Sequence, residues 1–277
     1  MMKRRQKQLL KGLLLVVALL ALRFFPIENG TVEQSKDYFT EASESAYKQS
    51  TEVTKTRGDE IEIPPYVYAY EEDTEETEVN VIVDLPDQGI FDGRSSIVVN
   101  DNVPYFDSSE ITTESFESYS ELDELGRCQA AIANVGQDIM PTEERGNIGS
   151  VKPTGWHTIK YDIVEGKYLY NRCHLIGYQL TGENANNKNL ITGTRYLNVE
   201  GMLPYENMIA DYVKETGNHV LYRVTPLFHN DNLVASGVLM EALSVEDDGA
   251  GIQFCVYCPN VQPGIVIDYV TGDSYEE

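Results

Sequence analysis

Tyr168-Leu169-Tyr170-Asn171-Arg172-Cys173-His174 is followed, after an Asn-rich stretch, by Asn189-Leu190-Ile191-Thr192-Gly193-Thr194, and then by Pro204 to Thr216. The first stretch reads as a strand over residues 167–173, entered from a turn at Glu165-Gly166. The polar run from Gly182 to Lys188 reads as a loop, and Asn189 to Thr194 as a second, short strand. In the third stretch Met208, Ile209, Tyr212 and Val213 recur at helical spacing. Pro204 suits the first turn of that helix, and Gly217 suits its end. Helical geometry can begin as early as Asn198, with a distortion at Gly201 and Pro204. The local order is therefore strand, loop, strand, helix.

Outward from this unit, strands predominate. Residues 96–100 and 103–106 are expected to form a hairpin around Asn100-Asp101-Asn102. Residues 120–135 mix helical spacing at Leu122 and Leu125 with a small-residue strand from Ala130 to Val135. Pro153-Thr154-Gly155 reads as a turn, with a strand over Trp156 to Tyr161. Residues 220–225, 233–243 and 252–257 alternate like strands of a sheet. Strands do not alternate regularly with helices, so the expected class is α+β with a mixed or antiparallel central sheet.

The chain has 277 residues and a formal net charge of -24. That charge argues against a conventional basic nucleic-acid binder, but it is unevenly spread. Between Arg145 and Arg223 there are nine Lys and Arg against seven Asp and Glu, a net of +2. A polyanionic partner is therefore compatible with this region. At the N-terminus, Lys3-Arg4-Arg5-Gln6-Lys7 precedes an apolar run from Gly12 to Leu22. Residues 1–25 are expected to act as an export signal or a membrane anchor, which places the remainder outside the cytoplasm. Residues 26–80, with the run Glu71-Glu72-Asp73-Thr74-Glu75-Glu76-Thr77-Glu78, are expected to form a disordered acidic linker. Folding is expected from residue 81 to residue 277. The four cysteines (128, 173, 255 and 258) are too few for a disulfide framework in a chain of this length. They read as ordinary thiols or one local disulfide.

The residues at the strand ends carry chemistry. Histidine titrates near neutral pH and suits a base that activates water. Arg172 is two residues before His174 and leaves the same face of the strand. Its planar fork can bridge two phosphate oxygens. Asn198 and Glu206 are eight residues apart, just over two helical turns, and share a face if the helix runs through both. An Asn carbonyl suits Mg²⁺, which keeps several waters and needs few protein ligands. Glu206 can hold a metal-bound water. Together these groups are the inventory for hydrolysing a phosphodiester. Taken alone, Asn198 would be a helix cap and Glu206 a first-turn acid. His157, His219 and His229 lack such company and read as structural. Arg127 and Arg145 can be distant phosphate contacts, but structural salt bridges are the favoured reading. Tyr168 and Tyr170 can stack bases, with core packing expected of at least one.

Asn171-Arg172-Cys173-His174, Asn189, and Asn198 with Glu206 resemble the DNA/RNA non-specific endonucleases of the ββα-metal (His-Me finger) superfamily. The stretch from Leu125-Gly126-Arg127 through Gly155-Trp156 to Tyr212 resembles the secreted and DNA-entry nucleases of Gram-positive bacteria. The similarity spans residues 81–277 and is strongest over 125–225. It implies a ββα-metal catalytic motif and the hydrolysis of DNA and RNA to 5′-phosphate ends. It implies that His174 activates water and that Asn198 is the sole direct protein ligand of Mg²⁺, with Mn²⁺ as substitute. Glu206 would hold a metal-bound water and Arg172 would stabilise the transition-state phosphate. Asn189 and Arg195 are implied as substrate-side residues, Asn189 by positioning the loop near the metal and Arg195 by a phosphate contact. The family pattern is Asp-Arg-Gly-His, so Asn171 and Cys173 depart from it. Cys173 would carry a steric penalty if its backbone needed a positive φ. These departures leave a catalytically impaired, surface-exposed nucleic-acid-binding module as the alternative. A zinc-stabilised domain built on Cys173, His174, Cys255 and Cys258 is a third reading.

Overall fold

The computed structural model describes residues 93–277, together with the backbone of Ile61–Glu62 (β1) and Ile82–Val83 (β2), which pair antiparallel. The expected signal or anchor over residues 1–25 lies outside the described residues. So does the expected linker, apart from β1.

The main sheet is antiparallel throughout. It is built from Ile97–Val98 (β3), Phe116–Tyr119 (β4), Ala131–Val135 (β5), Val220–Leu227 (β8), Gly237–Ser244 (β9) and Gln253–Pro259 (β10), in the order β3-β10-β9-β8-β5-β4. Separate from it, Tyr170–His174 (β6) and Leu190–Thr194 (β7) form a two-stranded ribbon. Tyr178–Thr181 (α1) lies in the connection between these two strands, and Leu203–Thr216 (α2) follows them. A third small ribbon pairs Ile265–Ile267 (β11) with Ser274–Glu276 (β12). The α+β class and the strand–loop–strand–helix unit are both present.

Side-chain alternation along β8, β9 and β10 explains how both faces of the sheet are covered. Tyr222, Val224, Val238, Met240, Ala242, Phe254 and Val256 face one side, in the core formed with Ile209, Ala210 and Val213 of α2 and Cys173 and Ile191 of the ribbon. Leu227, Leu239, Cys255 and Tyr257 face the other side and pack with Val99. The intervening Arg223 is also buried. It pairs with Glu241 across the strands at 2.8 Å, and Glu110 and the Tyr105 carbonyl satisfy its remaining donors. The helix and the β6–β7 ribbon thus share one face of the sheet, and the chain segment before β4 closes the other.

Three local expectations need correction. Residues 96–106 do not form a hairpin. Asn100, Asp101 and Asn102 all adopt positive φ, and β3 pairs with β10 instead. The Tyr105 amide donates to the Glu241 carboxylate at 2.7 Å rather than to a neighbouring strand. The segment around Leu122 and Leu125 is a turn, because Asp123 accepts hydrogen bonds from the Leu125 and Arg127 amides. That side chain competes with the helical ladder. Residues 156–161 contribute only one bridging pair, Lys160 with Tyr168. Trp156, Ile159 and Tyr161 pack instead against Val164, Leu169 and the β11 region.

Candidate active site

The ribbon β6–β7 and helix α2 meet at a cleft of about 730 Å³. His174, Arg172, Asn198, Glu206 and Arg195 all line it, as do Arg145, Trp156, Tyr168, Asn171 and Gly177. Five residues singled out from sequence are therefore brought to one place.

His174 ends β6 opposite Leu190 and is only 7% exposed. Its Nε2 lies 2.8 Å from the Asn184 carbonyl. A carbonyl can only accept, so Nε2 carries the proton and Nδ1 keeps its lone pair. Nδ1 faces the Arg145 guanidinium at 3.4 Å. Burial pushes the His174 pKa down to about 4; the Asn184 hydrogen bond opposes this and the Arg145 charge reinforces it. The ring is therefore a neutral base with one defined basic nitrogen.

Asn189 does not reach the cleft. It is fully buried, its Oδ1 accepts from the Ile176 amide at 2.8 Å, and its Nδ2 donates to the Ile176 carbonyl at 3.0 Å. A side chain buried in the core and bonded at both ends cannot reach a phosphate in the cleft. Its effect is to clamp the chain just after His174, in keeping with a positioning role, and it does not line the cleft as a residue in contact with substrate would.

Residues 197–202 form wider turns than an α-helix. The Leu203 amide bonds to the Asn198 carbonyl, five residues back. Such widened turns occur often at functional sites. α2 then begins with Pro204 in its first turn and ends at Gly217, which has a φ of 75°. The distortion expected near Gly201 and Pro204 is thus a widened turn, and it leaves both Asn198 and Glu206 lining the cleft. Glu206 is buried beside Gly177. A Cβ on Gly177 would lie 2.5 Å from the Glu206 Oε2, so only glycine allows this approach. Burial pushes the Glu206 pKa up to about 7, against the Gly177 backbone hydrogen bond and the Arg145 charge.

These two shifts have opposite consequences for stability. His174 has a folded pKa below its ordinary 6.5, so its contribution is complete above pH 6.5 and is lost as pH falls toward 4. Glu206 has a folded pKa above its ordinary 4.5, so its contribution is complete below pH 4.5 and is lost as pH rises through 7. Each shift is worth about 3 kcal/mol, and the two slopes offset each other between pH 4.5 and 6.5. Glu206→Gln should therefore expose the His174 slope, with the metal-free protein losing urea resistance on acidification across that window while the wild type changes little. Equal pH slopes for the two proteins would rule this coupling out.

Arg172 is held from two sides. Its guanidinium donates to the carbonyls of Val151 and Gly149 and stacks on Trp156 at 4.1 Å. Arg195 lies loosely against the exposed Glu165 at 3.6 Å, and its Nε is buried without a partner. Tyr170 packs in the core, and its hydroxyl donates to the Gly272 carbonyl. Tyr168 is 48% exposed at the cleft, with the Lys160 ammonium 4.4 Å from its ring. Arg127 is structural as expected: it pairs with Asp123 at 2.6 Å.

Arg145 is where the structure departs from the salt-bridge role favoured from sequence. It is exposed, lines the cleft, and makes no salt bridge with a carboxylate among the described residues. Its sequence position alone carried no signal, because the neighbour that matters, His174, is 29 residues away.

Cys173 lies in β6 and is not among the residues with positive φ, so the expected steric penalty does not arise. All four cysteines are free and buried. Cys255 and Cys258 face opposite sides of the sheet, in different core clusters. A zinc site using both is therefore excluded by strand geometry.

A family model for DNA/RNA non-specific endonuclease matches residues 108–246. Among solved structures, the chain is similar to NucA from Streptococcus agalactiae with no metal bound. That match has 26% identity and a TM-score of 0.57, and covers 65% of this chain and 86% of that one. The same protein with a magnesium ion bound matches at 26% identity and a TM-score of 0.57, over 64% and 85% of the two chains. Sda1 nuclease with a bound zinc ion matches at 29% identity and a TM-score of 0.52, over 58% and 81%.

Proposed function

The chain belongs to the DNA/RNA non-specific endonuclease family, and from that premise we propose that it is a secreted or surface-anchored, Mg²⁺-dependent endonuclease that cuts DNA and RNA without sequence preference. The observation that carries the proposal is the convergence of His174, Asn198 and Glu206 in one arginine-lined cleft. The donor set fits a hard cation. Asn198 offers one neutral oxygen and Glu206 a carboxylate, and no cluster of three His, Cys, Asp or Glu exists among the described residues to form a closed cage. Few protein ligands and many waters are the habit of Mg²⁺, with Mn²⁺ as substitute. When bound, the ion would neutralise charge on the phosphate and the departing oxygen. Relatives of known structure hold magnesium or zinc.

In this mechanism Nδ1 of His174 takes a proton from water, whose oxygen attacks phosphorus. The P–O3′ bond breaks, the departing O3′ takes a proton from solvent water, and the products are a 3′-hydroxyl and a 5′-phosphate. The Asn184 carbonyl keeps the proton on Nε2, so the basic nitrogen is the one facing the cleft. Arg145 occupies the space before Nδ1 at 3.4 Å. A bound phosphate would draw this guanidinium toward itself and free Nδ1 for water. Arg172 and Arg195 offer further cationic contacts. Asn171 and Cys173 displace none of these groups, so the impaired-module alternative gains no support from the geometry. Export rests on the basic and apolar N-terminal run.

The test is digestion of plasmid DNA and of RNA by the full chain with Mg²⁺, Mn²⁺, Zn²⁺ or EDTA. Mg²⁺-dependent loss of both substrates at many positions supports the proposal; intact substrates with every metal would overturn it. Phosphate contacts carry no sequence information, and three cleft arginines that each neutralise a phosphate predict a log–log salt slope of about -3 for binding. Salt-independent binding would count against backbone recognition.

A further inference from the structure

Cys173 stands where the family pattern has glycine, and its surroundings give it a role. The Cys173 thiol lies 3.1 Å from Oδ1 of Asn198 and 3.4 Å from the Met202 sulfur. The sulfur is fully buried. Room for it comes from β7: a Cβ on Gly193 would lie 2.6 Å from the Cys173 Cβ. The bare position at 193 and the side chain at 173 are thus complementary across the ribbon.

The chemistry of the contact is directional. A carboxamide has an acceptor end and a donor end of nearly the same shape. A thiol facing it as donor selects the oxygen. Asn198 lies in the widened turns of residues 197–202. Without a donor beside it, the carboxamide can rotate and present its NH₂ group to the cleft, where it would repel a cation. An amide oxygen has two lone pairs, so accepting from sulfur still leaves one for a metal.

We propose that Cys173 is a positioning residue: its S–H donates to Oδ1 of Asn198 and holds the carboxamide oxygen in the orientation that binds the divalent cation. This rests on the reading of Asn198 as the cation ligand. It also accounts for the departure from glycine, since this chain orients its ligand with a side chain that the family pattern lacks.

The experiment is Mn²⁺ binding to the full-length chain, followed by electron paramagnetic resonance, alongside kcat at saturating Mn²⁺. Partners that orient ligands typically change metal affinity by 10–100-fold. A thiol is a weak donor, so Cys173→Ala should weaken Mn²⁺ binding roughly tenfold, with a smaller effect on kcat once metal saturates. Cys173→Ser keeps a donor and should bind Mn²⁺ within about twofold of wild type. Cys173→Val fills the space without a donor and should behave like alanine, which guards against a cavity effect. The thermal midpoint of each metal-free protein reports whether it is folded.

Wild-type Mn²⁺ affinity in the alanine and valine variants would overturn the proposal, as would a serine variant that loses as much affinity as alanine. Asn198→Ala separates the two levels of the argument. If it abolishes Mn²⁺ binding while Cys173→Ala changes nothing, the positioning role alone fails. If Asn198→Ala binds Mn²⁺ normally, the ligand assignment fails and the positioning role with it.

Discussion

His174→Ala is expected to lower kcat for plasmid cleavage by roughly 10²–10⁴-fold, the range for loss of a positioned general base. Binding of substrate and of Mn²⁺ should change little, because the imidazole is assigned to neither. The structure sharpens this expectation in two ways. The Asn184 carbonyl fixes the tautomer, so the activity depends on Nδ1 specifically. Burial keeps the ring neutral down to about pH 4 in the metal-free protein, so the base stays unprotonated at mildly acid pH. His174→Gln, which has no base near neutrality, should be as inactive as alanine. Retention of more than a tenth of the wild-type kcat in either variant would remove His174 from the role of base.

Arg145→Ala should produce the second large loss, on the order of 10²–10³-fold in kcat, the range for removing one donor to the transition-state charge. Arg145→Lys should recover part of it, since a point charge replaces a planar fork. The same substitution has a second readout. Arg145 depresses the His174 pKa by charge, although burial is the larger cause. Removing the guanidinium should let that pKa rise from about 4 only part of the way toward 6.5. A ring titration by NMR measures this directly. An unchanged kcat with an unchanged titration would return Arg145 to the surface role its sequence suggested.

The ββα unit was legible because its signals are local. The strand-like runs of β6 and β7 with the polar loop between them, the apolar spacing at Ile209 and Val213, Pro204 and Gly217 each act within a few residues of themselves. His174, Arg172, Asn198 and Glu206 could be named for the same reason: two flank one strand end and two flank one helix start. The failures are just as instructive. Asn100, Asp101 and Asn102 looked like a hairpin tip, yet the strand that β3 joins is more than 150 residues away in β10. Asp123 turned an apparently helical segment by capturing two backbone amides. Asn189 looked like a polar site residue and is a core clamp, because its partner Ile176 becomes adjacent only when the ribbon closes.

By itself, then, the sequence determined the order of the catalytic elements, the residue types that could do the chemistry, and the local charge balance that permits a polyanion. Those properties depend on neighbours along the chain. Only the tertiary structure decided which nitrogen of His174 is basic, that Arg145 faces it, and that Glu206 is buried against Gly177. It also decided that the Cys173 thiol meets Asn198 in a space left open by Gly193. Each of these depends on groups distant in sequence being pressed together out of water. There a single carbonyl or a missing Cβ sets the tautomer, the pKa and the direction of a side chain.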